Sequence, residues 1–229
     1  LPGVLNARNT RYTISGRAAI ALALRVLNVQ PGHRVLVPTY HCPTMIAPIV
    51  QVGAVPMFYP ITATGGPDLH WIRQANTRDV HAMLATHYFG LPQPMAEIRR
   101  FCAENRIELI EDCAHAFFGI SDNRPVGTWG DVAIASLTKF FPVPEGGIIA
   151  SETRSLHRLE LEPRSLMGQV KAVADAIELG ARHGRFPGTN TLLEALFGLK
   201  NRLRRRREGA EPGSSNGGSY SARSSSVPL

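Results

Sequence analysis

Two residues in the middle of the chain have the types and placement for shared chemistry. Asp112 follows the apolar run IELIE, and Lys139 stands two residues beyond the run DVAIASL. Short, apolar, β-branched runs are how buried strands of a parallel sheet read. Ligands of open α/β sheets sit beyond the carboxyl ends of the strands, so both side chains are expected at one crevice. Lys139 lies among apolar residues, in SLTKFFPVPEGG. Desolvation there would lower its pKa toward the range in which an amine condenses with an aldehyde. A carboxylate that keeps a heteroaromatic nitrogen protonated is the complementary half of such chemistry. The bland alternative is an ordinary Asp–Lys ion pair.

The elements that must position this pair follow from the pattern. Residues 16–27 predict a helix, with four alanines at 18, 19, 21 and 23 and an apolar stripe of Ile20, Leu24 and Leu27. Ser15 and Gly16 stand at its start, where free N–H groups and the helix dipole make an anion site. Strands are predicted at 34–37, 55–61, 80–86, 108–111 and 132–137, and helices near 43–52, 69–74 and 94–105. This alternation predicts an α/β fold, a doubly wound, mostly parallel sheet with flanking helices. Asp131 reads as a cap or support for the strand that follows it.

Six motifs occur in order within residues 12–151: SGRAAIALAL at 15–24, PGHRVLVPTY at 31–40, THYFGLP at 86–92, IEDCAHA at 110–116, VGTWGD at 126–131 and TKFFPVPEGG at 138–147. At these motifs the chain resembles the DegT/StrS-type sugar aminotransferases of fold type I. The resemblance implies pyridoxal 5′-phosphate as cofactor, held through its aldehyde by Lys139, with Asp112 at the pyridine nitrogen. It implies that Gly16 and Arg17 meet the phosphate, although Arg17 stands where the family usually has Thr. Ser136 fits a Ser-x-x-Lys pattern that helps hold phosphate, while the family's longer spacing would select Ile134. His115 matches a Gln or His that borders the ring. The flat side chain over the ring falls on Cys42 by ungapped counting and on His41 after a shift of one residue. Lys139 also argues against the family's dehydratase branch, where a histidine replaces the lysine. The activity implied is transfer of an amino group from an amino acid such as glutamate to a nucleotide-linked keto sugar, in polysaccharide or amino-sugar synthesis. A cytoplasmic homodimer is implied as well.

The chain has 229 residues, 44% hydrophobic and 19% charged, enough for one α/β domain. No run spans a bilayer and no signal peptide is expected. Three cysteines without metal spacing, Cys42, Cys102 and Cys113, point to a reducing compartment and to no metal. The net charge of +7 is concentrated at 202–207, which argues little for nucleic acid. Residues 1–151 are expected to form the cofactor-binding core, 152–208 a helical extension (helices at 155–180 and 192–207), and 209–229 a disordered Gly/Ser tail. The family's small C-terminal domain has no room here, and the chain opens on Leu1, so truncation at both ends is expected. The rival reading is a catalytically silent module that keeps the fold. A third, weaker one is an anion binder working through the arginine cluster.

Overall fold

A computed structural model describes residues 1–75, 77, 79–159, 161 and 166–185. The chain divides into two units, Leu1–Ala172 and Val173–Leu229. The second is described only at 173–185, the C-terminal part of a helix and the turn after it. The expected helix at 192–207, its arginine cluster and the tail from 209 lie outside the described residues.

The first unit is built on a seven-stranded sheet. In chain order its elements are β1 (Asn9–Thr13), α1 (Gly16–Val26), β2 (Arg34–Pro38), α2 (Pro43–Gln51), β3 (Val55–Tyr59), α3 (Leu69–Gln74), β4 (Val80–Thr86), α4 (Met95–Asn105) and β5 (Glu108–Asp112). A short hairpin follows, β6 (Ile120–Ser121) and β7 (Arg124–Pro125), then β8 (Val132–Ser136) and β9 (Gly147–Ser151); α5 (Leu166–Arg182) begins in this unit and ends in the second. The spatial order is β1-β9-β8-β5-β4-β2-β3. β8, β5, β4, β2 and β3 run parallel, while β9 pairs antiparallel with both β8 and β1.

The layers follow from the side chains. Val35 and Val37 face one side of β2, where they pack with Ile20 and Leu24 of α1 and Ile49 of α2. Leu36 faces the other side, against Ile72 of α3 and Ile98 and Phe101 of α4. Successive strand residues point to opposite faces, so a strand covered on both sides must be apolar throughout. Arg106 closes α4 in the left-handed region, at φ 56°.

Three details differ from the sequence reading. β1 is an added edge strand: its residues NTRYT are polar and half-exposed, so they carry no apolar run to detect. The strand expected at 55–61 stops at Tyr59. The helix expected from 155 is absent at 155–159, which form bends and a turn, and α5 spans Leu166–Arg182.

Candidate active site

A cavity of about 550 Å³ opens at the carboxyl ends of β2, β4, β5 and β8 and at the start of α1. All seven predicted residues line it: Gly16, Arg17, His41, Asp112, His115, Ser136 and Lys139. Cys42 and Ile134, the alternatives for two of these roles, line it too.

The head of α1 is clamped by close packing. The Ser15 side chain accepts the Ala18 N–H at 3.1 Å, capping the helix. The Gly16 and Arg17 amides have no acceptor within the helix. A Cβ on Gly16 would lie 3.2 Å from the Ser136 Cβ, which brings the end of β8 against the helix start. From the other side, a Cβ on Gly147 would fall 2.4 Å from the Ser15 carbonyl carbon, so only glycine admits this approach. Gly16 and Arg17 thereby stand at the cavity wall next to Ser136. The Ser136 hydroxyl lies 3.2 Å from that of Thr138.

Asp112 is 3% exposed. Its Oδ1 accepts the Ala114 N–H at 2.8 Å, and the Thr86 hydroxyl lies 3.4 Å from Oδ2. Burial raises its pKa above the ordinary carboxylate value; the Ala114 N–H and the Lys139 charge oppose this without cancelling it. The sign matters for stability. A carboxyl whose folded pKa is raised costs nothing below its unfolded pKa and its full penalty above the folded one. Asp112→Asn, which keeps an acceptor for Ala114, is therefore expected to raise the melting temperature of the cofactor-free protein at pH 7. The rise should be a few degrees, since about 1 kcal/mol is worth roughly 2–4 °C at this size. Thermal melts at pH 7 and pH 3.5 check this: the gain should shrink at the lower pH.

Lys139 ends a 3₁₀ turn, Leu137–Lys139, that continues β8. The sequence placed it in an apolar, desolvated setting. Instead its side chain is exposed on the cavity side, while Phe140 and Phe141 turn away to pack on Phe117 at 5.6 and 5.1 Å. Those rings anchor the turn and leave the amine accessible. Among the described residues no ion pair joins Lys139 to Asp112. His115 is half-buried, and burial, with the nearby Lys139 charge, lowers its pKa. Its Nδ1 is buried and has no hydrogen-bond partner among the described residues. An orphaned polar atom in a cavity wall is what a ligand's polar group satisfies.

His41 donates from Nδ1 to the Pro38 carbonyl at 3.0 Å and stacks on Phe58 at 4.9 Å, so one face of its ring is already covered. Cys42 caps α2 with no side-chain bond to the helix amides; its Sγ meets the Thr44 hydroxyl at 2.8 Å. Cys42 is exposed, whereas Cys102 and Cys113 are buried. Burial pushes the Cys102 thiol up to about 12 and the Cys113 thiol well above its ordinary value. The native protein is thus expected to release one equivalent of thionitrobenzoate rapidly from Ellman's reagent, and three after denaturation. Rapid release of two equivalents would place a second thiol at the surface.

The sequence reading missed a buried network behind Asp112. The Glu111 carboxylate is fully buried and accepts four bonds. His87 Nε2 (3.0 Å) and the Gly127 N–H (2.7 Å) reach Oε1, and the Trp129 (2.8 Å) and Gly130 (3.0 Å) N–H groups reach Oε2. The Gln93 N–H donates to His87 Nδ1 at 2.9 Å, which leaves the ring proton on Nε2 for Glu111. Burial alone would raise the Glu111 pKa; these donors, His87 first, pull it below its ordinary value. His87, Glu111 and Cys113 resemble a metal-ligand set, but the four donors already occupy the carboxylate. Asp131, expected to cap or support the strand after it, instead accepts from Arg99 of α4 at 2.6 Å and from the Leu109 N–H of β5 at 2.8 Å.

The sheet and cavity define a doubly wound α/β domain that presents an amine and a buried carboxylate at adjacent strand ends. The DegT/DnrJ/EryC1/StrS aminotransferase family model matches residues 5–195, and the chain belongs to this family. It is 30% identical over 152 residues to GDP-perosamine synthase of Vibrio cholerae, covering 65% of this chain and 41% of that one. It is 32% identical over 157 residues to the UDP-N-acetyl-3-dehydro-alpha-D-glucosamine 3-aminotransferase of Acidithiobacillus ferrooxidans, covering 63% and 40%. Among solved structures, NtdA of Bacillus subtilis with bound cofactor PMP superposes with a TM-score of 0.60 at 26% identity, covering 66% and 34%. The fold is that of the large domain of fold type I aminotransferases. The chain spans about two fifths of the length of the curated relatives it matches.

Proposed function

We propose that this chain is the cofactor-binding domain of a pyridoxal 5′-phosphate-dependent aminotransferase. It moves an amino group from an amino acid such as glutamate to a nucleotide-linked keto sugar. The observation that carries this reading is the meeting of Lys139, Asp112 and the unpartnered His115 Nδ1 in one cavity. The names of the relatives support the acceptor class: perosamine is carried on GDP in one and the acceptor on UDP in another. The homodimer and the cytoplasmic setting implied by the resemblance belong to the same proposal. Among the described residues no helix is long and apolar enough to cross a membrane.

The residues present fit the cofactor, on the evidence of the His115 Nδ1 left without a partner among the described residues and of Gly16 closely packed on Ser136 at the cavity wall. When bound, pyridoxal phosphate supplies an electron sink for a carbanion next to nitrogen. Each residue then has a task. The Gly16 and Arg17 amides, the Arg17 side chain and the Ser136 hydroxyl hold the phosphate. The Asp112 carboxylate holds a proton at the ring nitrogen, and a cation there relieves the cost of its own burial. The Lys139 Nζ would hold the cofactor at its aldehyde carbon, and it is the amine that would carry a proton to and from the substrate carbon. His115 borders the ring, and His41, with one face taken by Phe58, lines the wall.

The test is the first half-reaction. Protein loaded with pyridoxal phosphate and mixed with L-glutamate is expected to lose its visible band and release about one equivalent of 2-oxoglutarate per chain. A loaded protein that stays unchanged with glutamate and with other amino donors would overturn transfer and leave the silent module.

A further inference from the structure

A flat heteroaromatic ring tethered at Asp112 and Lys139 needs an apolar wall to fix its tilt. Three rings near these residues compete for that part. His41 is stacked on Phe58 and offers one face. Tyr40 is 55% exposed. Tyr88, two residues past the end of β4, is 4% exposed and lines the cavity. Its hydroxyl donates to the Tyr40 carbonyl. Its ring meets Tyr40 edge-on at 5.4 Å and His115 edge-on at 6.3 Å. Burial, with the nearby Asp112 charge acting in the same direction, pushes the phenol to about 12, so the hydroxyl stays a donor at physiological pH.

We propose that Tyr88 is the aromatic surface against which this chain holds the cofactor's ring. This rests on the proposed function above. A ring anchored at its hydroxyl and packed along its edges loses no rotamer freedom when a ligand arrives. An exposed Tyr40 would have to be ordered first. The hydroxyl bond gives Tyr88 a second part. It ties the end of β4 to the loop after β2, which carries His41 and Cys42, and so sets the width of the cavity between those strands.

The two parts separate by substitution in the full chain. Tyr88→Phe keeps the ring and loses the tether; Tyr88→Leu loses both. In absorbance titrations with pyridoxal phosphate, Tyr88→Phe is expected to bind within about threefold of the unaltered protein, and Tyr88→Leu about tenfold more weakly, the size of an aromatic contact. Equal affinity for Tyr88→Leu and the unaltered protein would overturn the proposal. Should Tyr88→Leu not fold, as three fast thiols would reveal, the unaltered protein still decides. With ring-labelled tyrosine, the resonance that vanishes in Tyr88→Phe must shift when cofactor is added, and an unmoved resonance overturns the proposal. If the unaltered protein binds no pyridoxal phosphate at all, the proposed function falls and this inference falls with it. Binding with a silent Tyr88 overturns this inference alone.

Discussion

Lys139→Ala is expected to abolish the visible absorbance band of the loaded protein and to lower transamination by on the order of 10²–10⁴-fold, the share usually carried by a positioned proton-transfer group. The sequence holds three lysines, Lys139, Lys171 and Lys200, and among the described residues Lys139 is the one that lines the cavity. Its access rests on the turn that carries it. Leu137 donates its N–H to the Gly146 carbonyl at 3.0 Å, and Phe141 returns to the Leu137 carbonyl at 2.9 Å, so the amine sits on a closed loop. The Lys139 charge also opposes the raised Asp112 pKa. Lys139→Ala should therefore raise that pKa further. Spectra at pH 8 and single-turnover assays with glutamate check the first effect. A band of unaltered height and position in Lys139→Ala would remove the lysine from its assigned part.

Glu111→Ala is expected to destabilise the domain by about 3–5 kcal/mol, because each buried donor left without its acceptor costs about 1–3 kcal/mol. Four donors lose their acceptor at once: His87, Gly127, Trp129 and Gly130. Set against a net stability of about 5–15 kcal/mol, such a loss leaves little folded protein at 37 °C. Glu111→Gln keeps the shape but turns an amide NH₂ toward backbone donors, so it should fail in the same direction by a smaller margin. The pH dependence has a definite sign. The folded pKa of Glu111 is lowered, so its contribution is fully present above the unfolded carboxylate value near 4.3 and is lost as pH falls through the folded pKa. Asp131, lowered chiefly by the Arg99 bond against its own burial, adds to the same acid limb. Urea melts of the unaltered protein and Glu111→Gln, at pH 7 and pH 3, should differ most at pH 7. A variant as stable as the parent at pH 7 would show the network to be dispensable. The substitution should also weaken cofactor binding, because Glu111 fixes the end of β5 on which Asp112 stands.

The parts of the fold that read from sequence are those under the strongest local constraint. β2, β4, β5 and β8 are covered on both faces, so they had to be apolar, and Asp112 at the end of β5 and Lys139 beyond the end of β8 line one cavity. β1 escaped because an edge strand with one half-exposed face tolerates NTRYT. The β6–β7 hairpin has two residues per strand, too few to show any period. The error at Lys139 came from treating sequence neighbours as spatial ones. Phe140 and Phe141 flank the lysine in the chain, yet their rings join Phe117 in a separate cluster. Glu111 carried a signal that went unused. A charged residue inside a strand buried on both faces must find donors, and the glycine-rich VGTWGD stretch was the available source. Tyr88 left no comparable mark, since a tyrosine just past a strand end reads equally well as core or surface.

The most direct measurement is borohydride reduction of the protein loaded with pyridoxal phosphate, followed by peptide mapping. A phosphopyridoxyl group found on Lys139, in a peptide spanning β8 and the turn after it, is the result the account predicts. Folded protein that carries no label, or carries it on Lys171 or Lys200 with Lys139 unmodified, would contradict it.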